Sequence, residues 1–160
     1  MNHIWSPWRM EYIENSKEDG CIFCAAQEKE DSAENLIALR GEFSYVILNR
    51  YPYTSGHLMV VPFEHKANLE ELDPPTRAEM MELTTRCITV LRKVYIPQAF
   101  NIGVNIGEAA GAGVKEHIHI HIVPRWSGDT NFMSTVGETR VLPESLEATY
   151  QRVRNGFLEG

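Results

Sequence analysis

The sequence predicts an α+β domain of five short strands, one long helix and a second helix at the C-terminus. Three patterns predict it. Residues 117–123 read His-Ile-His-Ile-His-Ile-Val, the two-residue alternation of an extended strand. From Asp73 onward Met80, Leu83, Cys87, Leu91 and Val94 recur at three- and four-residue steps, which marks one apolar stripe on a long helix. Four further apolar runs of strand length lie between turn-forming residues.

Composition bounds the function. A chain of 160 residues is long enough to bury a real core. It reads as one domain, 1–160, with an N-terminal arm 1–19, a core 20–125 and a C-terminal extension 126–160. The net charge of −7 supplies no basic field, so nucleic acid is not an expected partner. An anionic small molecule remains compatible, because a local pocket can be positive on an acidic protein. No run reaches the roughly 18 apolar residues of a membrane helix, and Met1–Glu14 carries Trp, Arg and Glu in place of an apolar signal core. With three cysteines, this places the chain in a reducing cytoplasm, where Cys-x-x-Cys means metal or redox chemistry.

In chain order, the arm holds Trp5, Trp8, Met10, Tyr12 and Ile13 around Pro7 and Arg9, and is expected to pack on the domain or on a second subunit. Gly20-Cys21-Ile22-Phe23-Cys24 is a Cys-x-x-Cys knuckle. Two thiolates at this spacing can share one zinc, although redox motifs use the same spacing. A tetrahedral site needs two more ligands, and histidine is the natural supply. The charged connector 28–34 leads to strand candidates Asn35–Arg40, Phe43–Asn49 and His57–Phe63. Gly41-Glu42 makes a hairpin turn between the first two, and Pro62 restricts the third to an edge or an end. The 52–56 loop is rich in turn formers and delivers Gly56-His57 at a strand start.

Asp73-Pro74 supplies an N-cap and a first-turn proline for the long helix, and Pro97 ends it. Cys87, on its apolar stripe, is a buried inert thiol. Phe100–Ile106 is the next strand, with Asn101, Gly103 and Asn105 on one face. A loop with Gly107, Gly111 and Gly113 follows, able to bring N–H groups to an anion. In the histidine strand all three imidazoles share one face and Ile118, Ile120 and Ile122 the other. Pro124, lacking an N–H, is expected to stop it. Val141 is a strand remnant, and Pro143–Leu158 is the terminal helix, with Leu146, Tyr150, Val153 and Phe157 on its apolar face.

His-Ile-His-Ile-His-Ile-Val-Pro-Arg, together with Cys-Ile-Phe-Cys, Gly56-His57-Leu58-Met59-Val60-Val61-Pro62, His65 and the Asn105–Gly113 loop, resembles the histidine-triad (HIT) family signature over residues 20–130. Leu48–Tyr53, the Trp5-x-x-Trp8-Arg9-Met10 arm and Pro124–Phe132 are most similar to its bacterial diadenosine tetraphosphate phosphorylase branch. The resemblance implies a HIT-like, mainly antiparallel sheet and a homodimer whose sheets join. It implies a nucleotide substrate attacked at its α-phosphorus by His119, giving a nucleotidyl-histidine that water or phosphate resolves. His121 and His57 would flank that phosphate as donors. Asn49, Asn105, Gly111, Gly113 and Arg125 would bind the nucleotide. Asn49 stands where many relatives have an aspartate for the ribose, and the Gln and hydroxyl typical of hydrolytic relatives are missing before the triad. The resemblance also implies a structural zinc on Cys21, Cys24, His65 and His117, with no organic cofactor. Residues two apart on a strand lie about 7 Å apart, so three histidines in a line do not readily converge on one open catalytic metal.

Overall fold

The computed structural model describes residues 20–137 and 139–160. The tryptophan-rich N-terminal arm lies outside them. Helix α1 (Ile22–Gln27) precedes strands β1 (Ile37–Arg40), β2 (Ser44–Leu48) and β3 (Leu58–Pro62). The long helix α2 (Pro74–Tyr95), β4 (Ala99–Val104), β5 (Ile120–Arg125), a single-turn α3 (Phe132–Thr135) and α4 (Leu146–Leu158) follow. The five strands form one sheet in the order β1-β2-β3-β5-β4, and every neighbouring pair is antiparallel. The class is α+β, as expected. Among the described residues no helix is long and apolar enough to cross a membrane.

Local chemistry sets these elements. The Asp73 carboxylate accepts the Thr76 N–H at 2.9 Å, and α2 ends where Ile96 turns left-handed at φ 50° before Pro97. Met80, Leu83, Cys87 and Leu91 are all buried along its stripe, each apolar side chain worth about 1.5–3 kcal/mol. α2 packs across β2, β3 and β5, and α4 packs on α2 and β1. Gly156 permits that helix crossing, since a Cβ there would stand 2.7 Å from Val90 Cγ1. The β1–β2 turn is clasped by Glu79 from α2, whose carboxylate accepts from Glu42 N–H, Phe43 N–H and Ser44 Oγ at 2.6–2.8 Å.

The structure corrects several expectations. The cysteine knuckle is not a loop: Cys21 caps α1 and Cys24 lies within it. The histidine strand pairs only from Ile120, so His117 and His119 lie in the segment just before the ladder. Pro124 does not stop the strand. It sits opposite Phe100 in the β4–β5 register, while its carbonyl accepts from Thr54 Oγ1 at 2.8 Å. A strand residue's N–H and C=O point to the same side, so the missing N–H faces away from β4 and costs that ladder nothing. β4 is an edge strand that ends at Val104 rather than Ile106, and Ile102 on it is exposed. Val141 belongs to no strand, and α4 begins only after Ser145, which caps it by accepting from Ala148 N–H.

Candidate active site

The triad segment carries two sites, one at each end. At its first end, Cys21 and Cys24 lie one helical turn apart, so both thiols face the same way. Ile118 N–H donates to Lys66 O at 2.7 Å, which fastens the His65 loop beside His117. Cys21 Sγ is 3.3 Å and Cys24 Sγ 3.7 Å from His117 Nδ1, and Cys24 Sγ is 3.3 Å from His65 Nδ1. Four ligand atoms thus lie within 4.8 Å of one another. Tetrahedral zinc with the usual bond lengths needs S···N separations of about 3.5 Å, so the donor set fits such an ion in composition and spacing. His117 Nε2–H donates to Pro62 O at 2.8 Å, the outer hydrogen bond that orients a ligating imidazole.

Two residues on, the ring is used the other way round. His119 Nδ1–H donates to the His117 carbonyl at 2.9 Å. That fixes the proton on Nδ1 and leaves the lone pair on Nε2. The ring is buried, and desolvation holds its pKa below the ordinary imidazole range, so the neutral form persists. Phe23, between the two cysteines, packs its ring 5.4 Å from His117 and 4.9 Å from His119.

His57 and His121 form a directed pair. Tyr53 N–H donates to His57 Nδ1 at 3.1 Å, so the His57 proton resides on Nε2. From there it donates to His121 Nδ1 at 2.9 Å, which puts the remaining His121 proton on Nε2. Burial, with the neighbouring His121 charge next, lowers the His57 pKa to about 3. Burial and then His119 lower that of His121 to about 4. The Tyr53 ring packs at a tilt on His57, 4.7 Å between ring centres. Asn49 accepts the Tyr51 N–H at Oδ1 and leaves its Nδ2 3.4 Å from His57 Nε2.

Two clefts meet at His121. One of about 690 Å³ is lined by His119, His121, Asn49, Asn105, Gly111 and Gly113 over an apolar floor that includes Phe23, Leu36 and Leu48. Gly111 adopts φ 84° at the end of a 3-10 turn, where a side chain would be strained. The structure therefore gathers Asn49, Asn105, Gly111 and Gly113 around one cleft beside His119 and His121, and places Arg125 on the other. Arg125 lines the other cleft, of about 1190 Å³, with its guanidinium clamped by Asp129 at 2.6 and 2.7 Å and by Asn101 Oδ1 at 2.6 Å. Lys115 is paired with Glu108 at 3.2 Å on an exposed loop. Phe23 and Tyr53 act here without having been singled out for it: one as a ring wedge, the other through a main-chain N–H that no motif reports.

The HIT domain family model matches residues 31–128, and the chain belongs to that family. AP-4-A phosphorylase of Mycobacterium tuberculosis H37Rv is 38% identical over 93% of this chain and 80% of its own length. A Zn-bound histidine triad family protein of Mycobacterium smegmatis superposes with TM-score 0.70 at 29% identity, over 88% of this chain and 94% of that one. The histidine triad nucleotide-binding protein ST2152 of Sulfolobus tokodaii gives TM-score 0.69 at 27% identity, over 87% and 93%.

Proposed function

We propose that the chain is a nucleotidyl-transferring enzyme that acts on the α-phosphate of adenine dinucleotides through His119, and that its reaction is phosphorolysis of diadenosine tetraphosphate. The observation that carries the reading is the His119 Nδ1–H···O bond to His117 at 2.9 Å. It aims a neutral lone pair, on Nε2, at the substrate and supports the positive charge that develops on attack. In the first displacement Nε2 bonds to the α-phosphorus. The P–O bond to the leaving polyphosphate breaks, and its electron pair stays on that oxygen as ATP departs. In the second, a phosphate oxygen attacks, the P–N bond breaks and ADP is released. His121, protonated on Nε2 by virtue of His57, donates to the phosphate oxygens as charge shifts. The 690 Å³ cleft takes the nucleoside, its base on the apolar floor and its ribose near Asn49, with the Gly111 and Gly113 loop against the phosphate. Arg125 reaches the substrate only by exchanging its Asp129 and Asn101 partners.

Phosphate is favoured over water as acceptor by the likeness to the mycobacterial AP-4-A phosphorylase. With millimolar phosphate, diadenosine tetraphosphate should give ADP and ATP on chromatography. AMP as the main product, at a rate indifferent to phosphate, would make the protein a HIT hydrolase with the same first step. The Cys21, Cys24, His65 and His117 set is assigned a structural zinc. When bound, the ion would hold His117, and through it the carbonyl that orients His119. The whole chain, 1–160, is taken as one cytoplasmic domain that dimerises by joining sheets at the exposed β4 edge. A monomer by light scattering at micromolar concentration would remove the dimer.

A further inference from the structure

The proposed function occupies only one of the two clefts that meet at the triad. We propose that the second, 1190 Å³ cleft is the subsite for the leaving nucleoside polyphosphate of a dinucleotide substrate. The proposal rests on the nucleotidyl-transfer reading and extends it to a part of the molecule that reading leaves unused.

Position argues first. His119 lines the nucleoside cleft alone, whereas His121, Tyr53 and Asn105 line both. In-line displacement sets the leaving oxygen on the far side of the phosphorus from the attacking nitrogen. With the nucleoside beside His119, the departing chain must then run past His121, and the second cleft begins there.

The lining has the matching chemistry. Arg140 lies 4.8 Å over the Tyr53 ring centre, and its Nη1 donates to Tyr53 O at 2.9 Å. Tyr53 in turn packs on His57 and His121, so a fixed cation stands one ring away from the reacting centre. Its charge already reaches the triad, being among the causes that lower the His57 pKa. Two carboxylates share the cleft among the described residues, Asp129 paired with Arg125 at 2.6 Å and Glu144 with Arg152 at 2.7 Å. Among the described residues the charged groups lining it are three arginines and two carboxylates, on a chain whose net charge is −7. Ser55, only 8% exposed, lines the same wall, and its buried Oγ has no hydrogen-bond partner among the described residues. Buried hydroxyls are almost always paired, and a phosphate oxygen of the leaving chain supplies the missing partner.

The order of events follows. His119 still holds one side of the phosphorus after the first step. The acceptor phosphate must therefore enter from the side that the polyphosphate has just left, through this same cleft.

The test compares two substrates with the same nucleoside half: diadenosine tetraphosphate, and the p-nitrophenyl ester of AMP, whose leaving group has no phosphate chain. In Arg140→Ala and in Ser55→Ala, kcat/KM for the tetraphosphate should fall about tenfold further than for the ester, mainly through KM. Ser55→Ala should at the same time leave thermal stability undiminished, because the hydroxyl it removes supports nothing in the free protein. Equal losses on both substrates, or no loss on either, would overturn the subsite. A second arm needs no turnover. Inorganic tripolyphosphate, titrated by calorimetry into wild-type protein saturated with AMP, should bind, and Arg140→Ala should weaken it about tenfold. No binding beside AMP, or binding indifferent to Arg140, overturns the proposal. Failure of the wild type to turn over either substrate strikes the nucleotidyl-transfer reading instead, and the tripolyphosphate arm still decides the cleft.

Discussion

His117 and His119 are the same side chain two residues apart on the same segment, and they present opposite nitrogens. A carbonyl, Pro62 O, takes the Nε2 proton of His117, which frees Nδ1 for the cysteine–histidine cluster. Another carbonyl, His117 O, takes the Nδ1 proton of His119, which leaves the lone pair on Nε2, the nitrogen proposed above to attack the substrate. What an imidazole can do is thus decided by which of its nitrogens a neighbouring carbonyl occupies. Two chemistries are packed side by side with no change of residue type.

The largest effect should separate the two ends outright. His119→Ala should lower turnover by at least about 10⁴-fold while the far-UV circular dichroism spectrum and bound metal stay as in wild type. A folded His119→Ala protein with substantial activity would erase the division of labour. Cys21→Ser should act the other way. It should lose metal, measured by elemental analysis, and lower Tm by roughly 10 °C at about 2–4 °C per kcal/mol for a chain of this size, while folded molecules keep part of their turnover. A fully stable metal-free preparation would mean that the first end needs no ion.

A smaller effect is set by pH. His57 and His121 have folded pKa values of about 3 and about 4, below the ordinary value of about 6.5 for an exposed imidazole. Between those limits the unfolded chain binds more protons than the folded one, so stability rises with pH. It should be complete above about pH 6.5 and decline steadily as pH falls toward 4, read from urea midpoints at constant ionic strength. His121→Gln should flatten part of that slope. A wild-type stability that ignores pH across this window would mean the pair is not held neutral.

The smallest change sharpens the pair itself. Asn49→Asp replaces an amide nitrogen 3.4 Å from His57 Nε2 by a carboxylate oxygen. The acceptor should compete with His121 for the His57 proton and raise the His57 pKa. Turnover should shift only a few-fold, and the acid loss of stability should become shallower. Titration of His57 by NMR checks the direction.

Much of this was legible in the sequence, for physical reasons. Alternation of His and Ile can only sort rings to one side, and Asp73-Pro74 followed by a stripe can hardly be anything but a helix start. The misses share a cause. Whether Pro124 breaks a strand depends on which side its absent N–H faces, and that is fixed by Thr54 and Phe100, distant in sequence. The position of Arg125 next to the triad is local information, while Asp129 and Asn101, which hold its guanidinium, converge only in the fold. α1 carries no helical signal in the sequence, because its six residues hold one buried aromatic and no periodic stripe. Ser55 and Arg140 belong to loops and gave no signal at all.

The Tyr53 N–H that points the His57 proton toward His121 has a consequence for how such a protein can vary. It is a main-chain group, as are the Pro62 and His117 carbonyls, and every substitution except proline at 53 carries it along. An alanine scan would find the imidazoles and pass over the atoms that give each of them its role. Tyr53→Pro is the exchange that deletes the donor, so a lineage could replace nearly every side chain around these rings while their proton placement was inherited unchanged with the backbone.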